Sequence, residues 1–271
     1  YANSQLLRTM CAGQPYGVPR IGEPEDLDEI TPQSLYAHYR QILGTSRVEM
    51  FYMGSLAPEQ VTEVLRQTLQ ALPRAGQVVP VGTTPAPAAR PVQEKTERLD
   101  VTQGKLSLGF FTDITANDPR YPALVLAATV FGGGATSKLF TNVREQMSLC
   151  YYASASFEKF KGVLAVASGV EFSKLETAKK EILRQLEACC SGEISDYELE
   201  SARGYLVSDL KIAMDSPGRL DDFYMGQILL ESSATMQDLS DAIARVTKEE
   251  AAQAARALRL DTIYELQGVQ A

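Results

Sequence analysis

The feature that most limits what this chain can fold into is a run of five prolines between residues 73 and 92: Pro73, Pro80, Pro85, Pro87 and Pro91, set among alanines. Proline has no amide N–H and a fixed φ, so neither a helix interior nor a central strand can pass through such a stretch. It reads as an extended, semi-rigid linker, and the chain must fold as one thing before it and another after it. We place the first segment at 1–75, the linker at 76–95 and the second segment at 96–271. The sequence has 271 residues, 45% of them hydrophobic and 22% charged, which is enough apolar material for a real core and too little charge for a disordered chain.

Before the linker, residues 2–12 read as the end of a helix with Leu6, Leu7, Met10 and Cys11 on one face. A loop rich in Gly, Pro and acid follows over 13–29. Thr31 is a good N-cap with Pro32 at the first helical position. The helix it starts carries Leu35, Tyr39 and Ile42 and stops near Gly44. Residues 48–53 are β-rich and end at Gly54, which predicts a strand. Residues 58–72 predict a second helix with Val61, Leu65, Leu69 and Leu72 inward.

After the linker, 98–112 is strand material. Asp118 is expected to cap a helix that starts at Pro119 and runs to Phe131, where Gly132, Gly133 and Gly134 break it. A short helix over 137–146 and neighbouring strands over 151–157 and 163–170 come next. Three capping boxes, Ser173 with Glu176, Ser195 with Glu198 and Thr247 with Glu250, mark later helix starts. Gly192 ends the first of these, another helix begins near Pro217, and a strand over 262–266 closes the chain. Strands come in pairs and helices in runs, which is an α+β order with a mainly antiparallel sheet flanked by helices, not a βαβ series.

The two segments also end alike. The pattern from Asp26 to Pro32 matches that from Asp241 to Thr247, with Ile30 over Val246 and Thr31 over Thr247. Each Thr starts a helix that leads to a strand closing on Gly, Gly54 in one case and Gly268 in the other. Thr31 and Thr247 stand 216 positions apart, Gly54 and Gly268 stand 214 apart. We read one complete copy of an α+β unit preceded by the C-terminal part of another, whose completion needs roughly 120 further residues upstream of Tyr1. A start at Tyr1 rather than Met fits a fragment or a processed product.

The formal net charge of −8 disfavours nucleic acid and anionic membranes as partners. No apolar run approaches the ~18 residues a membrane span needs, and no basic-then-apolar leader opens the chain. The four cysteines, Cys11, Cys150, Cys189 and Cys190, form no CxxC pair and no spaced framework. They read as reduced thiols, which points to the cytoplasm. There is one histidine, His38, and no Ser/His/Asp or Cys/His set surrounds it.

Several stretches resemble the M16 (pitrilysin/insulinase-like, inverzincin) peptidase family. Tyr16-Gly17, Gly22, Leu27, Ile30-Thr31 and Leu35 to Tyr39 are similar to one family segment, and residues 48–54 to the strand after it. The most specific match runs Phe131-Gly132-Gly133-Gly134-Ala135-Thr136-Ser137-Lys138-Leu139-Phe140, then Val143-Arg144-Glu145, then Leu149-Cys150-Tyr151. The resemblance implies M16/LuxS-type metallohydrolase-like domains, used in pairs to enclose an unfolded peptide. Active members hold zinc on an inverted HxxEH motif and a distal Glu in the first domain. This chain departs from that pattern completely, since one histidine cannot supply the two imidazoles of a His₂Glu site. We therefore expect no metal ligands and no catalytic residues here. Zinc is expected only in an upstream domain or a partner.

The resemblance also suggests substrate-binding residues. In active relatives an Arg and a Tyr at the spacing of Arg144 and Tyr151 reach toward the scissile bond, and both groups can donate hydrogen bonds to a carbonyl or an oxyanion. The other reading is an Arg144 paired with a carboxylate and a Tyr151 lying half-buried on a strand. Tyr152 takes the role if the register slips by one. Gly132, Gly133 and Gly134 lack the GxxxxGK[ST] context of a phosphate loop and read as a helix stop, one that by resemblance faces the peptide chamber. The acidic run from Glu23 to Glu29 lacks EF-hand spacing and reads as a solvated helix entry.

Three functions follow. The first is a non-catalytic subunit that binds peptide and supports a zinc-bearing partner, as a homo- or hetero-dimer with another M16 subunit. The second is the C-terminal part of an active zinc metalloendopeptidase whose HxxEH lies upstream. The third is a structural or assembly subunit with no peptide role.

Overall fold

The computed structural model describes residues 1–74, 76, 78–79 and 87–269. Before the linker stand α1 (Ala2–Met10), α2 (Pro32–Thr45) and α3 (Pro58–Gln70), with single 3₁₀ turns at Pro15–Gly17 and Pro24–Glu29. After it come β1 (Gln93–Leu99), β2 (Gly104–Phe111), α4 (Tyr121–Gly132), a π-helical segment (Leu139–Gln146), β3 (Cys150–Glu158) and β4 (Val163–Val170). Then follow α5 (Leu175–Ser191), α6 (Asp196–Met214), α7 (Pro217–Leu229), α8 (Met236–Arg245), α9 (Lys248–Ala255) and β5 (Arg259–Gly268). Pro80 and Pro85, which helped mark the linker, lie outside the described residues, and β1 begins at Gln93.

The five strands form one sheet in the order β1-β5-β2-β4-β3. Only β1 and β5 pair in parallel, and every other neighbour is antiparallel. Alternation along β2 shows why the sheet has two dissimilar faces. Leu106, Leu108 and Phe110 point into the main core, which α4, α5, α6 and α9 complete through Leu124, Leu126, Ile182, Leu199 and Ala251. Each large apolar side chain withdrawn from water there contributes about 1.5–3 kcal/mol. Ser107, Gly109 and Phe111 point the other way, where α1 lies. Leu6 packs with Tyr264 and Leu266 of β5, and Met10 and Cys11 with Phe111 and Val163. Gly109 is required for this approach, because a Cβ there would stand 2.5 Å from Met10 Sδ. A segment from before the linker thus covers the sheet built after it.

Polar contacts fix that cover. Ser107 Oγ donates to Asn3 Oδ1 at 2.9 Å. Arg90 Nε and Nη2 donate to Asp261 Oδ1 and Oδ2 at 2.8 and 2.9 Å, and Nη2 also donates to the Met10 carbonyl at 2.7 Å. Tyr264 and Tyr1 donate their hydroxyls to the two oxygens of Glu97, at 2.6 and 2.7 Å. These two phenols hold the Glu97 carboxyl below its usual range. Arg120 does the same for Asp118, and Arg184 for Glu181. A carboxylate depressed in the folded state contributes stability above its unfolded pKa and loses it as pH falls through the folded value. Far-UV circular dichroism should therefore show the fold weakening progressively below about pH 4 and holding on the neutral side. A fold indifferent between pH 6 and pH 3 would contradict the assignment.

Local sequence chemistry explains most element ends. Thr31, Ser195 and Thr247 accept the N3 amide as expected of caps, and Gly192 ends α5 at φ 84. Four expectations need correction. Residues 48–53 are not a strand, because a strand is defined by a ladder neighbour and none is present among the described residues. The helix expected from Pro119 starts at Tyr121: Asp118 Oδ1 accepts the Arg120 amide and its carbonyl the Tyr121 amide, forming a turn instead. Ser173 and Glu176 form no capping box. Ser173 lies in a 3₁₀ turn (Phe172–Lys174) and Glu176 pairs with Lys179 at 2.8 Å. The helix over 137–146 is real but wound as a π-helix from Leu139.

Candidate functional site

The glycine turn, the π-helix and the start of β3 form one continuous piece at the β3 edge of the sheet. α4 feeds into it. This helix is apolar on all sides because it is packed on all sides, with Leu124, Leu126, Ala127, Val130 and Phe131 buried. Its one buried hydroxyl, Thr129 Oγ1, donates to the Val125 carbonyl within the helix. Where the resemblance asks for a counterpart of the zinc helix, the side chains present offer no ligand, so a His₂Glu site does not fit here. His38 stands exposed on α2. Among the described residues no group of three or more His, Cys, Asp or Glu side chains could hold a metal ion.

The glycines divide into two that are sterically required and one that is not. A Cβ on Gly132 would meet the Ala155 nitrogen at 2.7 Å and Leu139 Cδ1 at 2.8 Å, and one on Gly133 would meet Thr129 Cα at 2.7 Å. Gly134 has nothing within 4 Å. Gly132 lets α4 end close against β3, and Gly133 lets the chain turn back over Thr129 of α4.

The π-helix then carries Arg144. Its amides bond across five or more residues, Met147 to the Asn142 carbonyl and Leu149 to the Val143 carbonyl, each at 3.0 Å. Two buried polar links hold it. Lys138 Nζ meets Glu198 Oε1 on α6 at 2.9 Å. Asn142 Nδ2 donates to Gln185 Oε1 at 2.7 Å, and Gln185 Nε2 passes the link to Glu181 at 2.5 Å. Burial pushes the Glu198 carboxyl up, but Lys138 and the Ser195 donors outweigh it and leave the group below its usual range. The Arg144 guanidinium lies over the Phe140 ring, 4.7 Å from its centroid, and meets Glu145 at 3.5 Å. It remains 40% exposed, so its donors are not consumed.

β3 starts with a bulge. Cys150 pairs with Val170 and Tyr152 with Gly169, which leaves Tyr151 as the extra residue. The one-residue insertion explains how both Cys150 and Ala153 pack on the main core, which simple alternation forbids. Burial raises the Cys150 thiol to about 11, opposed by the nearby Arg144 charge. Tyr151 is thrown outward and is 58% exposed. It lines a shallow cavity of about 330 Å³ with Thr102, Gln103, Glu171, Phe172 and Ser173. Tyr152, 42% exposed, lies across Gly169 with Lys105 Nζ 5.3 Å from its ring centroid. β3 pairs with β4 on one side, and its other edge is the end of the sheet.

Gly132 thus packs on Ala155 of β3, Arg144 stands partly exposed on the π-helix and Tyr151 outward near the start of β3, with Tyr152 turned onto the sheet face. Sequence reasoning missed the bulge and the Lys138–Glu198 pair. The bulge had a faint signal in two tyrosines ahead of a small-residue alternation. In the acidic run from Glu23 to Glu29, Asp26 accepts the Glu23 amide at 3.3 Å, and the Glu23 side chain pairs with Arg8 of α1 at 2.5 Å.

Comparison with known proteins agrees with this fold. The family model described as the Peptidase M16 inactive domain matches residues 29–206. A probable inactive metalloprotease of Bacillus subtilis is 32% identical over 270 residues, covering 100% of this chain and 63% of the relative. An uncharacterized zinc protease of Rickettsia bellii is 25% identical over 210 residues, covering 74% of this chain and 48% of the relative. A conserved protein from Enterococcus faecalis, known as a crystal structure, superposes with a TM-score of 0.91 at 30% identity over 100% of this chain and 64% of its own. The chain therefore spans less than two thirds of the length of each of these three relatives.

Proposed function

This chain belongs to the M16 peptidase family, through that family's inactive domain, and from that premise we propose that it forms part of the wall of a peptide-binding chamber without doing chemistry itself. It would support a zinc-bearing upstream domain or partner subunit, as a homo- or hetero-dimer of M16 chains. Its ligand would be an extended, unfolded polypeptide. The observation that carries this reading is the β3 edge, unpaired among the described residues, with Tyr151 outward near its start, Gly132 of the glycine turn packed against Ala155, and a buried α4 without metal ligands behind it. An open strand edge offers a row of amides and carbonyls to an extended chain. Tyr151 and Arg144 add an aromatic surface and a guanidinium that can donate to peptide carbonyls. Four free thiols suit a cytoplasmic setting. No described helix is long and apolar enough to cross a membrane.

A fluorescent unfolded peptide, titrated onto the protein together with its zinc-bearing partner, tests this. Tyr151→Ala and Arg144→Ala should each weaken binding about tenfold, the scale of a 1–2 kcal/mol contact residue, while far-UV circular dichroism stays unchanged. Unaltered binding in the double variant would remove the chamber reading and leave an assembly role.

A second reading, a C-terminal part of an active zinc protease, is favoured by the relative named as one and by the share of the relatives' length lying outside the match. The encoded sequence ahead of Tyr1 decides it: an HxxEH there would make the whole protein the enzyme and this chain its inactive portion.

A further inference from the structure

The turn that joins β3 to β4 carries an amine held among apolar groups. Lys159 Nζ lies 5.2 Å from the Phe160 ring centroid and 5.9 Å from that of Phe223 on α7. It also borders Gly226 of the same helix, where an added Cβ would stand 3.6 Å from the nitrogen. The backbone beneath it is pinned, because the Lys159 carbonyl accepts the Ala116 amide at 2.9 Å. The side chain is half-buried, so two phenyl rings and a helix backbone wall the amine without closing it off from water.

The nearest carboxylate in sequence is turned away from it. Glu158 Oε1 accepts the Phe160 amide at 3.1 Å and Oε2 the Lys161 amide at 2.5 Å, so the turn itself uses both oxygens. Asp222 stands exposed on α7. Both carboxylates act on the amine through their charge alone, with no hydrogen bond to it. Other lysines differ. Lys138, Lys174, Lys179, Lys180 and Lys248 are ion-paired, and Lys105 bonds Gln103. Lys161 is 3% exposed, out of a reagent's reach, and Lys95 and Lys211 stand in water. Burial holds the Lys159 amine below the usual lysine range, against the opposing charges of Glu158 and Asp222. The rings also favour the cation, but both are phenylalanines and Phe223 stands near the ~6 Å limit of that interaction.

We propose that Lys159 is an acylation site, its amine taking an acyl group from a small acyl phosphate. The nitrogen attacks the carbonyl carbon and a C–N bond forms. The C–O bond to the phosphoryl group breaks, inorganic phosphate leaves and the amine proton passes to water. Only a neutral amine has the electron pair for this attack, so a setting that disfavours the ammonium activates it. The cage suits the product too: a neutral amide lies more readily between two phenyl rings than a charge without a counter-ion does. The donor must be small, because the α7 backbone stands beside the nitrogen.

Acetyl phosphate at about pH 7.5 is the probe, with mass spectrometry of short incubations giving the rate at each lysine. Lys159 should acetylate about tenfold faster than Lys95 and Lys211. The advantage should shrink toward about pH 10–11, where ordinary lysines also become neutral. In strong urea it should vanish, since it comes from the fold and not from neighbouring sequence. Phe223→Ala opens the cage and should remove most of it, while Lys95 and Lys211 keep their rates. Equal or slower modification of Lys159 in the folded protein overturns the proposal. So does an advantage that persists in urea, is independent of pH, or survives Phe223→Ala in a folded variant. The pH and urea comparisons use the unaltered chain and decide the matter even where Phe223→Ala fails to fold.

Discussion

Lys138→Ala should cost the fold about 2–3 kcal/mol, read as a lower midpoint in urea at an unchanged slope. The ammonium is 8% exposed and its partner Glu198 18% exposed, with 2.9 Å between them. Removing the lysine leaves a half-buried carboxylate held only by the Ser195 donors, with its Oε1 stripped of its cation. The deficit should shrink at acid pH, where a Glu198 freed of Lys138 takes up a proton more readily than in the parent. The double change Lys138→Met with Glu198→Leu should recover most of the loss, because matched apolar groups can replace a buried pair. A single variant as stable as the parent would show that the pair is solvated.

Gly132→Val should cost about 3 kcal/mol, a large penalty for a position at a helix end. Replacing glycine in a helix normally gains up to about 1 kcal/mol through propensity and unfolded-state entropy. Here the added carbon meets the Ala155 backbone nitrogen at 2.7 Å. A backbone atom held in a sheet cannot step aside as a side-chain tip can, so β3 must separate from α4, and overpacking of this kind costs about 1–3 kcal/mol or more. Gly134→Ala, with nothing within 4 Å, is the internal control and should be neutral within about 0.5 kcal/mol. Equal effects at the two positions, measured by urea unfolding, would contradict the close-approach account.

What could be read from the sequence follows the range of the interactions involved. The caps Thr31, Ser195 and Thr247 and the terminator Gly192 were legible because their chemistry is complete within four residues. The box expected at Ser173 failed where a local competitor, Lys179, held Glu176 instead. The strand expected over 48–53 has the right residue types but depends on neighbours that no local pattern supplies. In the site, the glycine turn, Arg144 and Tyr151 were visible through motif resemblance. The bulge that aims Tyr151 outward was not, since it arises from Cys150 and Ala153 both seeking the core across β4. Lys138 also escaped notice, because its partner sits 60 positions away on α6.

The position of β5 has a consequence for biosynthesis. Residues 259–268 slot between β1 and β2, so Gln93 finds its ladder mate Thr262 only after every element from β2 to α9 has been translated. Until then β1 and β2 expose facing edges on either side of an empty lane, and the nascent polypeptide has long to wait before its sheet can close. Pairings so distant along the chain form slowly, which makes this a late-folding protein with a prolonged need for protection on leaving the ribosome.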